Sequence, residues 1–156
     1  MKILLYVLVA VFVLIGVYFA ALSMSSRKPP ELGLLGGQLR ACPASPNCVS
    51  SETPAGVSFV EPLPVNASVD EAWNKARQAL VENGGEIVTE QDDYLHARFV
   101  TPLMRYVDDV ELRLDADKRV IHIRSASRVG HSDLGANRAR VAKIRAAYLT
   151  RAGLDG

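Results

Sequence analysis

About twenty consecutive residues without a charge, Ile3 to Leu22, open the chain, and a run of that length is enough to cross a hydrocarbon core of roughly 30 Å. A soluble core helix of this length should carry a polar face, and this one has none. Two readings remain, a retained anchor and a cleaved secretory signal. The run exceeds the usual apolar region of a signal, carries Tyr6 and Tyr18 near its two ends as interfacial residues do, and offers only Ala21-Leu22-Ser23 as a cleavage site. No cysteine follows closely enough for a lipoprotein signal. The expectation is a single-pass anchor over residues 1–24, in an inner (cytoplasmic) membrane.

Charge does not orient the span, because Lys2 precedes it and Arg27 and Lys28 follow it. The cysteines do. Cys42 and Cys48 flank Pro-Ala-Ser-Pro-Asn, a turn-forming stretch that can bring their Cα atoms within disulfide range. Such a bridge persists in an oxidising compartment, which puts the domain on the extracytoplasmic, periplasmic side; two reduced thiols in a cytoplasmic domain are the alternative. Two cysteines at this spacing, with no second ligand pair nearby, are a poor zinc site.

The remaining 130 or so residues suffice for one domain of ordinary size. The net charge of +1 excludes the broad positive field that nucleic-acid binding needs. Residues 25–41, rich in Ser, Pro, Gly and Leu without periodicity, read as a linker lifting the domain off the bilayer, and 42–156 as the domain itself. Gly56 to Leu63 is an edge-strand candidate through Val57, Phe59 and Val60, closed by Pro62 and Pro64. Ser68 and Glu71 form a capping box ahead of Val69, Ala72, Trp73, Ala76 and Leu80 at helical spacing, with Gly84 and Gly85 as the stop.

Strands are predicted at Glu86–Glu90, Tyr94–Val100, Tyr106–Leu114 and Val120–Ser127, and a second helix from Asn137 to Arg151 with Val141, Ile144, Tyr148 and Leu149 buried. Gly153 ends it. The fold class is therefore α+β: an antiparallel sheet of about five strands with both helices on one face. Pairing Leu114 with Arg119 sets Leu112 opposite Ile121 and Val110 opposite Ile123. The other face then brings Asp109 to Arg124 and Glu111 to His122.

The same register puts Asp108 beside Ser125 and Ser127 at the end of the apolar stripe, where a carboxylate must be paired or hydrogen-bonded. The loop after it delivers Arg128, Ser132, Asp133, Asn137, Arg138 and Arg140 to the start of the last helix. A helix N-terminus beside hydroxyls and arginines suits an anion. A network of Asp108, Arg128, Asp133 and Arg138 that locks the loop and caps the helix is the stronger alternative. His96, His122 and His131 read as solvated surface residues. His131-Ser132-Asp133 hints at hydrolytic chemistry, but adjacent residues point apart and cannot form a triad alone.

Two segments, Cys42-Pro-Ala-Ser-Pro-Asn-Cys-Val-Ser-Ser51 and Asp108-Asp-Val-Glu-Leu with Ile123-Arg-Ser-Ala-Ser-Arg-Val-Gly-His-Ser-Asp-Leu-Gly-Ala-Asn-Arg-Ala-Arg-Val141, resemble the uncharacterised family known as domain of unknown function 1499, found in bacteria and plastids. The resemblance runs from Cys42 to the last helix. It implies no reaction or cofactor, but it implies that Asp108, Asp109, Arg124, Ser125, Ser127, Arg128, Ser132, Asp133, Asn137 and Arg138 are signature positions. Leu112 stands where the family often has an aromatic residue. The leading expectation is a membrane-tethered binding or scaffold module for an anionic group or an envelope protein. An envelope hydrolase and a purely structural subunit of a membrane complex are the alternatives.

Overall fold

The computed structural model describes residues 1–153; the last three residues of the expected domain, 154–156, lie outside them. The apolar run forms helix α1, Lys2–Ser26. Its length and composition would let it cross a membrane. A small hairpin follows, β1 (Leu34–Leu35) and β2 (Gln38–Leu39). Between them Gly36 and Gly37 both have positive φ, which a two-residue primed turn demands.

The main sheet is antiparallel and has six strands: β3 (Cys48–Ser50), β4 (Leu63–Pro64), β5 (Glu86–Glu90), β6 (Tyr94–Val100), β7 (Val107–Asp115) and β8 (Val120–Ser127). The meander β5-β6-β7-β8 is extended beyond β8 by β3 and β4, which pair with successive stretches of the same edge. The expected strand over Gly56–Leu63 is displaced. Val57 is solvent-exposed, Phe59 makes only an isolated bridge to Ser50, and pairing starts at Leu63. Pro64 is tolerated because β4 is at an edge and no ladder N–H is missed.

Helix α2 (Val69–Glu82) crosses from β4 to β5, and α3 (Ala136–Ala152) closes the chain. Ser68 Oγ accepts from Glu71 N as expected, but the capping box is half built, because Glu71 Oε1 accepts from Lys75 Nζ at 2.6 Å instead. The helix ends in a Schellman turn, with Gly85 N donating to Leu80 O and Gly84 N to Val81 O. A Cβ on Gly85 would lie 2.8 Å from both the Leu80 carbonyl and the Phe99 ring. Gly85→Ala is therefore expected to destabilise the fold by roughly 1–3 kcal/mol, read as a lower urea midpoint.

Both helices pack on one face of the sheet. Leu95, Ala97, Phe99, Val110, Leu112, Ile121 and Ile123 meet Ala72, Ala76, Leu80, Val141, Ile144 and Tyr148 there. Each fully buried Leu or Ile contributes about 1.5–3 kcal/mol relative to exposure, so this layer supplies the main driving force.

The β7–β8 register differs from the expected one by two residues. Leu114 pairs with Ile121, Leu112 with Ile123 and Val110 with Ser125. A two-residue slip preserves which face each side chain occupies, so the apolar layer is unchanged. The reason is the turn: Asp115, expected within it, pairs with Val120 instead, and Arg119 at φ 52° makes the tight corner. Asp115 Oδ1 fixes it by accepting from Lys118 N.

The opposite face is polar yet covered. Tyr94, His96, Asp109, Glu111, Arg113, His122 and Arg124 are all buried. What covers them is the segment expected to be a spacer. Gly33 N donates to Glu111 and Leu39 N to Glu52, and Leu39 is itself buried. That stretch of the chain lies on the sheet rather than holding the domain away from α1.

Candidate functional site

The ten candidate residues fall on both sides of the sheet, because Asp108 and Asp109 are neighbours in one strand and point to opposite faces. On the helix face, Asn137 is fully buried and forms the hub. Its Oδ1 accepts from Ser125 Oγ and from Arg140 Nη1, both at 2.6 Å. Its Nδ2 donates to Asn47 O, Ser127 Oγ and Asp133 Oδ2 at 2.7–2.9 Å. Asp108 is neutralised by Arg140 at 2.5 Å, whose guanidinium also lies over the Phe99 ring at 5.1 Å.

Asp133 performs the capping expected of this loop. Its carboxylate accepts from Gly135 N and Asn137 N, so helix α3 starts without a side-chain cap at Gly135. Burial would raise the Asp133 carboxyl, but these hydrogen bonds outweigh it and hold it below the ordinary value. Ser132 and Arg138 stand apart: Ser132 Oγ accepts from Leu134 N, and Arg138 donates to the Val57 carbonyl at 2.5 Å. The four residues expected as one locking network thus belong to separate contacts. The arginine that meets Asp108 is Arg140, one helical turn from Asn137, and not Arg138, which that phase turns to solvent.

On the polar face the two-residue register difference reassigns the partners. Asp109 lies opposite Ala126, not Arg124, and Arg124 lies opposite Glu111. Asp109 is instead gripped by Arg128, which donates to both carboxylate oxygens at 2.7 Å, and by His96 at 2.8 Å. Burial pushes the Asp109 carboxyl up, and the Arg128 and His96 hydrogen bonds reverse that and hold it below the ordinary value. Glu111, fully buried, accepts from Arg124 at 2.8 Å, from Tyr94 Oη at 2.8 Å and from Gly33 N at 3.0 Å. Burial first, and then the neighbouring Glu111 charge, raise the Tyr94 hydroxyl well above its ordinary value.

Arg128 also reaches back to the apolar helix. Its Nη1 donates to the carbonyls of Ser26 and Arg27 at 3.2 and 3.3 Å, groups that a helix end leaves without intrahelical partners. A cation there also suits the negative end of the helix dipole. Ser26, itself buried, accepts from Val107 N at the start of β7. The end of α1 is therefore hydrogen-bonded to the sheet.

A third polar group escaped the sequence reading. Arg113 donates to Glu52 at 2.6 Å and Asp115 at 3.2 Å, while Ser51 Oγ accepts from Ile123 N and bonds His122 Nδ1 at 3.0 Å. His96 and His122 are thus buried, correcting the expectation of surface histidines; His131 is exposed. Burial holds His122 below its ordinary value. The pair Cys42–Cys48 is disulfide-bonded, with Cα atoms 5.6 Å apart.

These shifts set an acid sensitivity. The hydrogen bond from Lys118 N, with Arg113 and Lys118 nearby, lowers Asp115 to about 2, and Asp109 and Asp133 are lowered too. Carboxyls depressed in the folded state stabilise it fully above their unfolded value of 3.8 and lose that contribution as pH falls through the folded value. His122, depressed below 6.5, adds a loss that begins as pH falls past that value, where the unfolded chain alone takes up the proton. Urea midpoints are expected to decline from pH 6.5 downward and again below about 4. Asp115→Asn should flatten the part between 3.8 and about 2.

No curated protein matches the chain. A family model described as a protein of unknown function, DUF1499, matches residues 38–148, which takes in β3, the meander, α2 and all but the last turn of α3. It covers every one of the ten candidate positions, and the chain belongs to the DUF1499 family.

Proposed function

We propose that this is a single-pass protein of the cell envelope, anchored in the inner (cytoplasmic) membrane by α1, whose domain faces the extracytoplasmic side and acts as a binding or scaffold module. The observation that carries this reading is the joint between α1 and the sheet. Arg128 bonds the last carbonyls of the apolar helix while gripping Asp109, and Ser26 bonds Val107. A cleaved leader has no use for such a joint, and a tether meant only to lend reach would be loose. The Cys42–Cys48 disulfide supports an oxidising compartment.

Geometry favours a partner protein over an anion as the ligand. Of the candidate cations, Arg124, Arg128 and Arg140 are paired with Glu111, Asp109 and Asp108, and Arg138 is bonded to the Val57 carbonyl. Against the hydrolase alternative, Ser132 lies in an exposed loop and its Oγ bonds Leu134 N rather than a base. Labelling intact cells with a maleimide that cannot cross the inner membrane tests the placement. Cys42 and Cys48 should react only after reduction; free thiols protected until lysis would put the domain in the cytoplasm and overturn it.

A further inference from the structure

The end of the sheet from which α1 leaves carries two loops, 101–106 between β6 and β7 and 128–135 between β8 and α3. Each presents a leucine to solvent: Leu103 is 88% exposed and Leu134 97%. Leu134 also sits in the left-handed region at φ 53°, a conformation a leucine adopts only at a cost. In water neither side chain contributes burial to the fold.

The loops run alongside α1 rather than beyond it. A cavity of about 240 Å³ between them is lined by Phe19 and Leu22 of α1 together with Tyr106, Val129 and Ser132 of the loops. If α1 spans a bilayer, its whole uncharged run from Ile3 to Leu22 is needed to cross roughly 30 Å of hydrocarbon, so Phe19 and Leu22 mark the hydrocarbon boundary. The loops beside them then stand at headgroup depth. Exposed cations gather at the same end, Arg27 and Lys28 after the helix and Arg105 in the first loop. The three carboxylates there, Asp108, Asp109 and Asp133, are taken up by Arg140, by Arg128 with His96, and by the first N–H groups of α3. The charge left facing outward is positive, complementary to lipid phosphate.

We propose that loops 101–106 and 128–135 form a bilayer-seating surface, with Leu103 and Leu134 entering the apolar zone beneath the headgroups and Arg27, Lys28 and Arg105 resting on phospholipid phosphates. The surface deepens the reading of α1 as a span and rests on it. Its occupant is the lipid of the leaflet that α1 has just crossed. A second copy of the chain or another subunit would place protein on the same leucines.

The test uses the full chain in vesicles of phosphatidylcholine and phosphatidylglycerol. Because Cys42 and Cys48 are bonded to each other, a single added cysteine takes a fluorescent label without reduction. Leu103→Cys and Leu134→Cys are the probes, Val9→Cys reports the span through lipids carrying a nitroxide deep in the acyl chain, and Asp117→Cys, in the turn at the far end of β7, reports a site clear of lipid. Side chains seated roughly 5–10 Å into the interface should lose about half or more of their emission to lipids carrying a shallow nitroxide, whereas Asp117→Cys should lose none. Quenching at Val9→Cys with none at Leu103→Cys and Leu134→Cys overturns the seating surface and leaves the anchor in place. A blue-shifted but unquenched emission at the two loops also overturns it, in favour of a protein contact. Absence of quenching at Val9→Cys overturns both.

Discussion

Replacing Glu111 with leucine is expected to destabilise the protein by about 3–5 kcal/mol, because it leaves the Arg124 guanidinium in a buried site with no counter-charge. Two further groups lose their acceptor, Tyr94 Oη and Gly33 N. The loss should be visible in urea titrations of the full chain in detergent. The paired change Glu111→Leu with Arg124→Leu separates the mechanisms. If the penalty comes from a stranded charge, the double variant should recover most of it, since an apolar pair of similar volume often equals a buried ion pair. If the double variant is as unstable as the single one, the carboxylate matters for the Gly33 and Tyr94 contacts instead, and Tyr94→Phe should then reproduce part of the loss.

Asn137→Leu is expected to be of similar size, about 4 kcal/mol, since Ser125, Ser127 and the Asn47 carbonyl would each be left without this partner at roughly 1–3 kcal/mol apiece. Asn137→Asp is the informative companion. It keeps the acceptor that serves Ser125 and Arg140 but places a second carboxylate oxygen 2.7 Å from Asp133 Oδ2, where an amide now donates. Faster amide exchange over loop 128–135 in either variant, with the β6–β7 core still protected, would show that this side chain joins the loop to the sheet. Unchanged exchange in both would remove Asn137 from the role of hub.

What could be read from the chain alone follows periodicity. The spans of β5, β6 and β8 and the start of α2 at Ser68 coincide with expectation because alternation, capping and glycine stops are local signals. Register is not local. The two-residue difference in β7–β8 left every apolar residue on its face and so was invisible to a hydrophobicity argument, yet it moved Arg124 from Asp109 to Glu111.

The partners that were missed share one cause. Ser26, Gly33 and Glu52 reach Val107, Glu111 and Arg113 across 61 or more residues of chain, and nothing in their immediate sequence announces it. Arg140 had a detectable signal, its i+3 spacing from Asn137, but Arg138 lay as close in sequence to the same loop. The segment 25–41 was composed like a spacer, and composition alone does not tell a free spacer from a strip of backbone laid over buried charges.

The joint at Ser26 and Arg128 also has a mechanical meaning. With the sheet bonded to the last carbonyls of α1, the helix and the domain cannot turn independently about the helix axis. The azimuth of the apolar helix, meaning which of its sides faces a given neighbour, therefore sets the compass direction in which the outer surfaces of α2 and α3 point. A contact made along Tyr6 or Phe12 would steer a surface on the far side of the sheet, as a tiller steers a hull.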